Sequence, residues 1–211
     1  MPIIVTAYVI ILYPMPTIVK TIPELLCKFN RILMKNTYNI CMERQGIKIF
    51  TAVVCVVTVL AAIAAVTVCM VFPNKYASEV NSAADEFGLD RSLVRAVVWA
   101  ESKFDRYAVS DKGASGLMQL MPDTLDFCAN ALYIKNAKNN RFDPNVSLRC
   151  GCYYLSLLID KFDGNVTAAL MAYNSGEANA KKFLAGQAVF PETARYVKNI
   201  GLAQKVYGIL G

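Results

Sequence analysis

The pattern of apolar and polar positions changes character twice along the chain. From Ile49 to Phe72 no charged residue interrupts a run of Val, Ala, Ile, Leu and Thr. A helix of that length crosses a hydrocarbon layer of about 30 Å. A buried core helix is the alternative, but such helices rarely stay apolar on all sides for so long. Before the run, Ile3–Tyr13 is apolar yet too short to span, and Pro14, Pro16 and Pro23 break its continuation. After it, the apolar positions recur at helical spacing in separate short blocks.

Those blocks predict a mainly α domain of six or seven helices. Val80–Phe87 is one, ending at Gly88. Leu93, Val94, Val97 and Val98 stripe the next, which Asp90 or Ser92 can cap. Residues 111–116 form a loop punctuated by Gly113 and Gly116, and Pro122-Asp123-Thr124 opens another helix. The polar stretch 135–145 reads as a surface loop. Cys150–Phe162, Val166–Tyr173 and Glu192–Leu202 complete the helical set, with a turn at Asp163-Gly164-Asn165. No strand-like alternation stands out.

Charge orients this arrangement. Residues 1–73 carry six Lys/Arg and two Asp/Glu, and residues 74–211 carry sixteen and fourteen. Arg31, Lys35, Arg44 and Lys48 precede the apolar run, which places the N-terminus in the cytoplasm and the domain outside. The run is too long for a usual signal-peptide core, and Cys69-Met70-Val71 is a poor cleavage site, so it reads as an uncleaved anchor. The organisation expected is an N-terminal segment of unassigned role at 1–46, a transmembrane anchor at 47–72 and a domain at 73–211. Met42-Glu-Arg-Gln-Gly-Ile-Lys also reads as a short basic start leading straight into the anchor.

Composition narrows the chemistry. The 211 residues include no His, which removes Ser-His-Asp, Cys-His and His-ligated metal chemistry. The seven Cys contain no Cys-x-x-Cys pair. The nearly balanced domain carries no nucleic-acid footprint. Cys128, Cys150 and Cys152 leave two readings, one disulfide joining Cys128 to Cys150 or Cys152, or three buried thiols.

Three segments carry candidate chemistry. Glu101 ends a mostly apolar helix, where loss of water would raise its pKa and fit it to protonate a leaving oxygen; a solvated Glu at a helix end gives the same local pattern. In Gly113-Ala-Ser-Gly-Leu-Met-Gln-Leu-Met-Pro122, small residues allow close backbone approach and Gln119 offers donors and an acceptor to sugar groups. Met118 and Met121 suit an apolar wall there, or simply the core. In Ala172-Tyr-Asn-Ser-Gly176, Tyr173 suits stacking on a sugar and Asn174 can hold an acetamido group, although helix termination alone explains the segment. Tyr196 reads equally well as a core aromatic.

Taken in order, Glu101-Ser102-Lys-Phe104, Ala108-Val-Ser110, Gly113–Pro122, Ala172-Tyr-Asn-x-Gly176 and Glu192-Thr-x-x-Tyr196-Val resemble the soluble lytic transglycosylase (SLT) family. Asp143-Pro144, Gly151 and Tyr154-Leu155 match its intervening segment, and the likeness runs from about Val80 to Ile200. The resemblance implies a lysozyme-like domain of the goose-type lysozyme and SLT kind. It implies cleavage of peptidoglycan between N-acetylmuramic acid and N-acetylglucosamine, without metal or cofactor. Glu101 aligns with the single catalytic acid and base. Ser102 aligns with the residue that supports it, Ser110, Gln119, Met121, Asn174 and Glu192 align with substrate-groove positions, and Tyr196 aligns with a Tyr whose hydroxyl lies near the catalytic carboxyl; Ser102, Tyr173 and Tyr196 are counted with the substrate-binding set. Ser147 departs from the family, which often has Asn there. The expected partners are glycan strands and, through Ile49–Phe72, a membrane. A hydrolytic muramidase and a noncatalytic wall-binding module are the competing functions.

Overall fold

The computed structural model describes residues 26–31, 44–188 and 190–210. Ile3–Tyr13, the three early prolines, Lys35, Cys41 and Met42 lie outside the described residues. Two compact units divide the chain, Met1–Ala65 and Val66–Gly211. Among the described residues, residues 26–31 are helical and eight longer helices follow. They are α1 (Arg44–Val71), α2 (Ala77–Glu86), α3 (Arg91–Ser102), α4 (Pro122–Ala131), α5 (Pro144–Lys161), α6 (Val166–Ser175), α7 (Glu177–Leu184) and α8 (Pro191–Leu210). No strand occurs among these residues, only the isolated bridges Val109–Ser115 and Ser115–Leu120.

Helix α1 contains Phe50–Val71, 22 residues long and apolar enough to cross a membrane by length and composition. Two of its threonines bond back to the helix backbone. Thr51 Oγ1 donates to the Ile47 carbonyl at 2.7 Å and Thr58 Oγ1 to that of Cys55 at 2.9 Å. Hydroxyls satisfied within the helix cost little in an apolar medium.

In the second unit the helix starts follow the caps that the sequence signals. Asp90 accepts from Leu93 N at 2.8 Å, Asp143 from Asn145 N and Val146 N, and Asn165 from Ala168 N at 3.1 Å. Pro122, Pro144 and Pro191 occupy first positions, where the missing N–H costs nothing. α5 runs through the domain and buries Leu148, Cys150, Gly151, Cys152, Leu155 and Leu158. α6 is buried at five consecutive positions, Ala168–Ala172, between α5, α7 and α8. α3 packs along α8, with Val94, Val97 and Val98 facing Ile200, Ala203 and Tyr207 in one core. Each such fully buried aliphatic side chain contributes about 1.5–3 kcal/mol.

Three sequence expectations shift. α5 begins at Pro144, so the helix claims the end of the stretch read as a surface loop. α8 continues to Leu210 instead of ending near Leu202, because Ala203 and Tyr207 extend its buried stripe past the helix-weakening Gly201. α7 was not expected at all; Ala180 is its one buried residue, too little to write a period. Cys128, Cys150 and Cys152 are free and buried, matching the three-thiol reading and not the disulfide. Burial pushes their thiols up to about 12, 11 and 12.

Candidate active site

The last turn of α3 presents Glu101. The helix is held by its buried valines, so the carboxyl emerges against protein and not into bulk water. Burial raises its pKa to about 7, the larger influence, while a hydrogen bond from Tyr196 pulls it down. The Tyr196 hydroxyl donates to Glu101 Oε1 at 2.5 Å across 95 residues of sequence. Tyr196 itself is held well above the usual phenol range by burial and by the carboxylate, so it remains a donor. Near neutral pH Glu101 therefore populates both protonation states, as a residue that first gives and then takes a proton requires.

After Ser102 the backbone turns sharply, with Lys103 and Phe104 both at positive φ, 53° and 63°. Phe104 is thereby driven into the core beside Tyr207, their ring centroids 6.1 Å apart. The chain then folds into the 108–120 loop. Ser110 N bonds the Ala114 carbonyl, Gly116 N that of Ala108, and Ser115 and Leu120 exchange both bonds.

The segment 116–119 is pinned from every side. Ser102 Oγ donates to Leu117 O at 2.9 Å, Ser147 Oγ accepts from Met118 N at 3.1 Å, and the Tyr173 hydroxyl donates to Met118 O at 2.8 Å. Two glycines make the approach possible. A Cβ at Gly116, whose φ is 79°, would stand 2.6 Å from the Arg141 carbonyl. One at Gly151 of α5 would stand 2.5 Å from the Met118 side chain. Ser147, the departure from the family's usual Asn, supplies the acceptor for Met118 N.

Several predicted roles move accordingly. Ser102, expected to support Glu101 and also counted with the substrate-binding set, is buried and its hydroxyl is spent on Val98 O and Leu117 O. It ties α3 to the loop instead. Met118 is wholly buried and belongs to the core, while Met121 stays 43% exposed. Gln119 adopts φ 46° and gives both donor bonds, each 3.0 Å, to Ala108 O and Gly116 O. Only its carbonyl oxygen is left for a ligand. Tyr173 packs at 5.5 Å on Tyr154, with its hydroxyl turned to Met118. Asn174, Ser110 and Glu192 are exposed, and Glu192 lies one helical turn before Tyr196 on α8. Sequence reasoning missed Ser147 as a support; a polar residue at a helix position among Leu148, Cys150 and Gly151 was the available signal. Among the described residues, no group of His, Cys, Asp and Glu is arranged to hold a metal.

The Transglycosylase SLT domain family matches residues 78–193. Membrane-bound lytic murein transglycosylase C of Edwardsiella ictaluri is 32% identical over 129 residues, 55% of this chain and 36% of that protein. The protein of the same name from Actinobacillus succinogenes is 30% identical over 147 residues, 65% and 40% of the two. This chain thus spans well under half the length of these relatives. Among solved structures, an inactive mutant of lytic transglycosylase Slt from Pseudomonas aeruginosa superposes with a TM-score of 0.62 at 31% identity, covering 65% of this chain and 24% of that one. The 70-kDa soluble lytic transglycosylase of Escherichia coli superposes at 0.61 and 26% identity, covering 65% and 25%. A complex of a 70-kDa soluble lytic transglycosylase with bulgecin A gives 0.61 at 27% identity over the same shares.

Proposed function

The chain belongs to the SLT transglycosylase family, and on that premise we propose that it is a peptidoglycan lytic transglycosylase working through Glu101 alone as acid and then base. The observation that carries this reading is the Glu101–Tyr196 pair, a buried carboxyl with a pKa near 7 that accepts a hydrogen bond from a phenol. Glycosidases with a second catalytic carboxylate use it as nucleophile or as base for water. With Glu101 serving as both acid and base, the substrate's own hydroxyl supplies the nucleophile in this reading.

In the proposed sequence, protonated Glu101 gives its proton to the oxygen bridging N-acetylmuramic acid to N-acetylglucosamine. The bond from that oxygen to the muramyl C1 breaks, and the muramyl acetamido group, positioned by Asn174, stabilises C1. The ionised Glu101 then takes the proton of the same sugar's 6-hydroxyl, whose oxygen bonds to C1 and closes a 1,6-anhydro ring. Water is not consumed, and the intramolecular attack benefits from proximity. The Tyr196 hydroxyl stabilises Glu101 when it is ionised. Ser110, the Gln119 carbonyl, Met121 and Glu192 contact the glycan, and Ser102 and Tyr173 hold the 116–119 segment in place.

The domain boundaries of the reading are an anchor at 47–72 and a catalytic domain at 73–211. The basic residues ahead of the anchor put the N-terminus in the cytoplasm and the catalytic domain on the cell-wall side.

Mass analysis of products from the full chain and peptidoglycan tests this. Anhydromuropeptides that disappear with Glu101→Gln are expected. Products one water heavier would make the protein a muramidase, and glycan binding without products would make it a wall-binding module.

A further inference from the structure

The chain leaves the apolar helix without a free linker. The Trp99 indole Nε1 donates to the Val71 carbonyl at 2.7 Å, one of the last carbonyls that a helix end leaves unpaired. Phe72 stacks on Trp99 at 5.0 Å and meets Tyr207 edge-on at 5.8 Å. The Tyr207 hydroxyl donates to Pro73 O at 3.1 Å. Arg95, buried, donates from Nε to Asn74 Oδ1 at 3.1 Å. Every residue from Val71 to Asn74 is thus held by α3 or α8.

A second feature sits on the same indole. The Lys103 ammonium stands 3.1 Å from the Trp99 ring centroid. Among the described residues no carboxylate forms an ion pair with it. Burial against its surroundings lowers its pKa, the state of a cation that lacks an anionic neighbour.

A group bonded to the last carbonyl of a membrane-crossing helix lies at the height where that helix leaves the hydrocarbon. That is the zone Trp favours, with its ring among acyl chains and its N–H on a polar partner. Anionic lipid phosphates at the same height attract Lys. We propose that Trp99, Phe72 and Lys103 form a lipid-contact site in the headgroup layer, Lys103 taking a lipid phosphate. The proposal rests on the reading of α1 as membrane-spanning.

Trp99 is the only tryptophan in the chain, so intrinsic emission reports this site alone. The full chain is reconstituted in vesicles of phosphatidylcholine, with and without phosphatidylglycerol. Emission is then titrated with headgroup nitroxide, mid-bilayer nitroxide and aqueous iodide. The expected result is quenching several-fold stronger from the headgroup probe than from the other two. Phosphatidylglycerol is expected to deepen it in the wild type and not in Lys103→Gln. Iodide quenching without lipid quenching, on protein that floats with the vesicles, would overturn the proposal and leave the anchor standing. Protein that does not float would overturn both. An unchanged phosphatidylglycerol effect in Lys103→Gln would refute the phosphate contact.

Discussion

Within the candidate site, the 116–119 segment and the exposed positions Ser110, Met121, Asn174 and Glu192 commit their polar atoms differently. In the first, the Leu117 and Met118 carbonyls, the Met118 N–H and the Gln119 amide donors all find partners inside the protein. In the second, side chains face solvent, and only the Ser110 hydroxyl accepts a local bond, from Ala114 N at 3.0 Å. Both regions come from the same motifs, so a motif residue is as readily a support as a contact. Supports should reveal themselves through stability, and contacts through substrate kinetics. Glu101 belongs to neither group: its carboxyl is buried, its pKa is raised, and its side-chain partner is the Tyr196 hydroxyl.

Glu101→Gln gives the largest effect expected. Loss of the acid should reduce anhydromuropeptide release by at least ~10²-fold, within the range for general acid–base groups. The same variant should be more stable than wild type at alkaline pH. The folded carboxyl has a pKa of about 7, above the ordinary 4.5, so between those values the folded form keeps a proton that the unfolded form has lost. Wild-type stability therefore falls as pH rises through that window and levels off above it. Gln does not titrate, so melts at pH 8 should favour the variant by roughly 1–3 kcal/mol, with the advantage gone near pH 4.

Tyr196→Phe should follow, with activity about 10-fold lower or less. Its distinctive mark is in the pH profile. The wild-type rate should decline as pH rises through about 7 while the acid form is lost. Removing a donor that stabilises the ionised form moves this decline to higher pH. A profile that moves the other way would contradict the pairing.

The contrast between supports and contacts is then tested directly. Ser102→Ala leaves the Leu117 carbonyl without its side-chain donor in the interior and should cost about 1–3 kcal/mol in denaturant unfolding. Asn174→Ala should change stability by no more than about 0.5 kcal/mol, as exposed sites usually do, while weakening catalysis. If Asn174→Ala melted the domain and Ser102→Ala did not, the division would be wrong. Met121→Ala should be the mildest, a few-fold rise in KM with stability unchanged.

The helical architecture was legible because caps and buried stripes are local. Asp90 sits where the chain starts a helix, and Val94, Val97 and Val98 announce a buried face, whereas the Asp143 cap went unread and α5 was expected only from Cys150. α7 was illegible because a single buried Ala180 writes no period. The end of α8 was misread because Gly201 weighs against a helix locally, while Ala203 and Tyr207 are stabilised by distant partners. At the site, the motifs singled out Glu101 and Tyr196, but their bond joins helices 95 residues apart. The family resemblance implied it, but nothing in the composition of either segment encodes it. Tyr173 was read as stacking on substrate for the same reason: the carbonyl that occupies its hydroxyl lies 55 residues away.

The three interior thiols have a consequence for how the domain matures. Protonated at any physiological pH and sealed from solvent, Cys128, Cys150 and Cys152 are poor substrates for oxidants and for thiol–disulfide exchange. Once closed, the fold waits on no oxidoreductase and gains nothing from a redox gradient. The hazard is confined to the interval before closure, when the same sulfurs are exposed to oxidants and to one another.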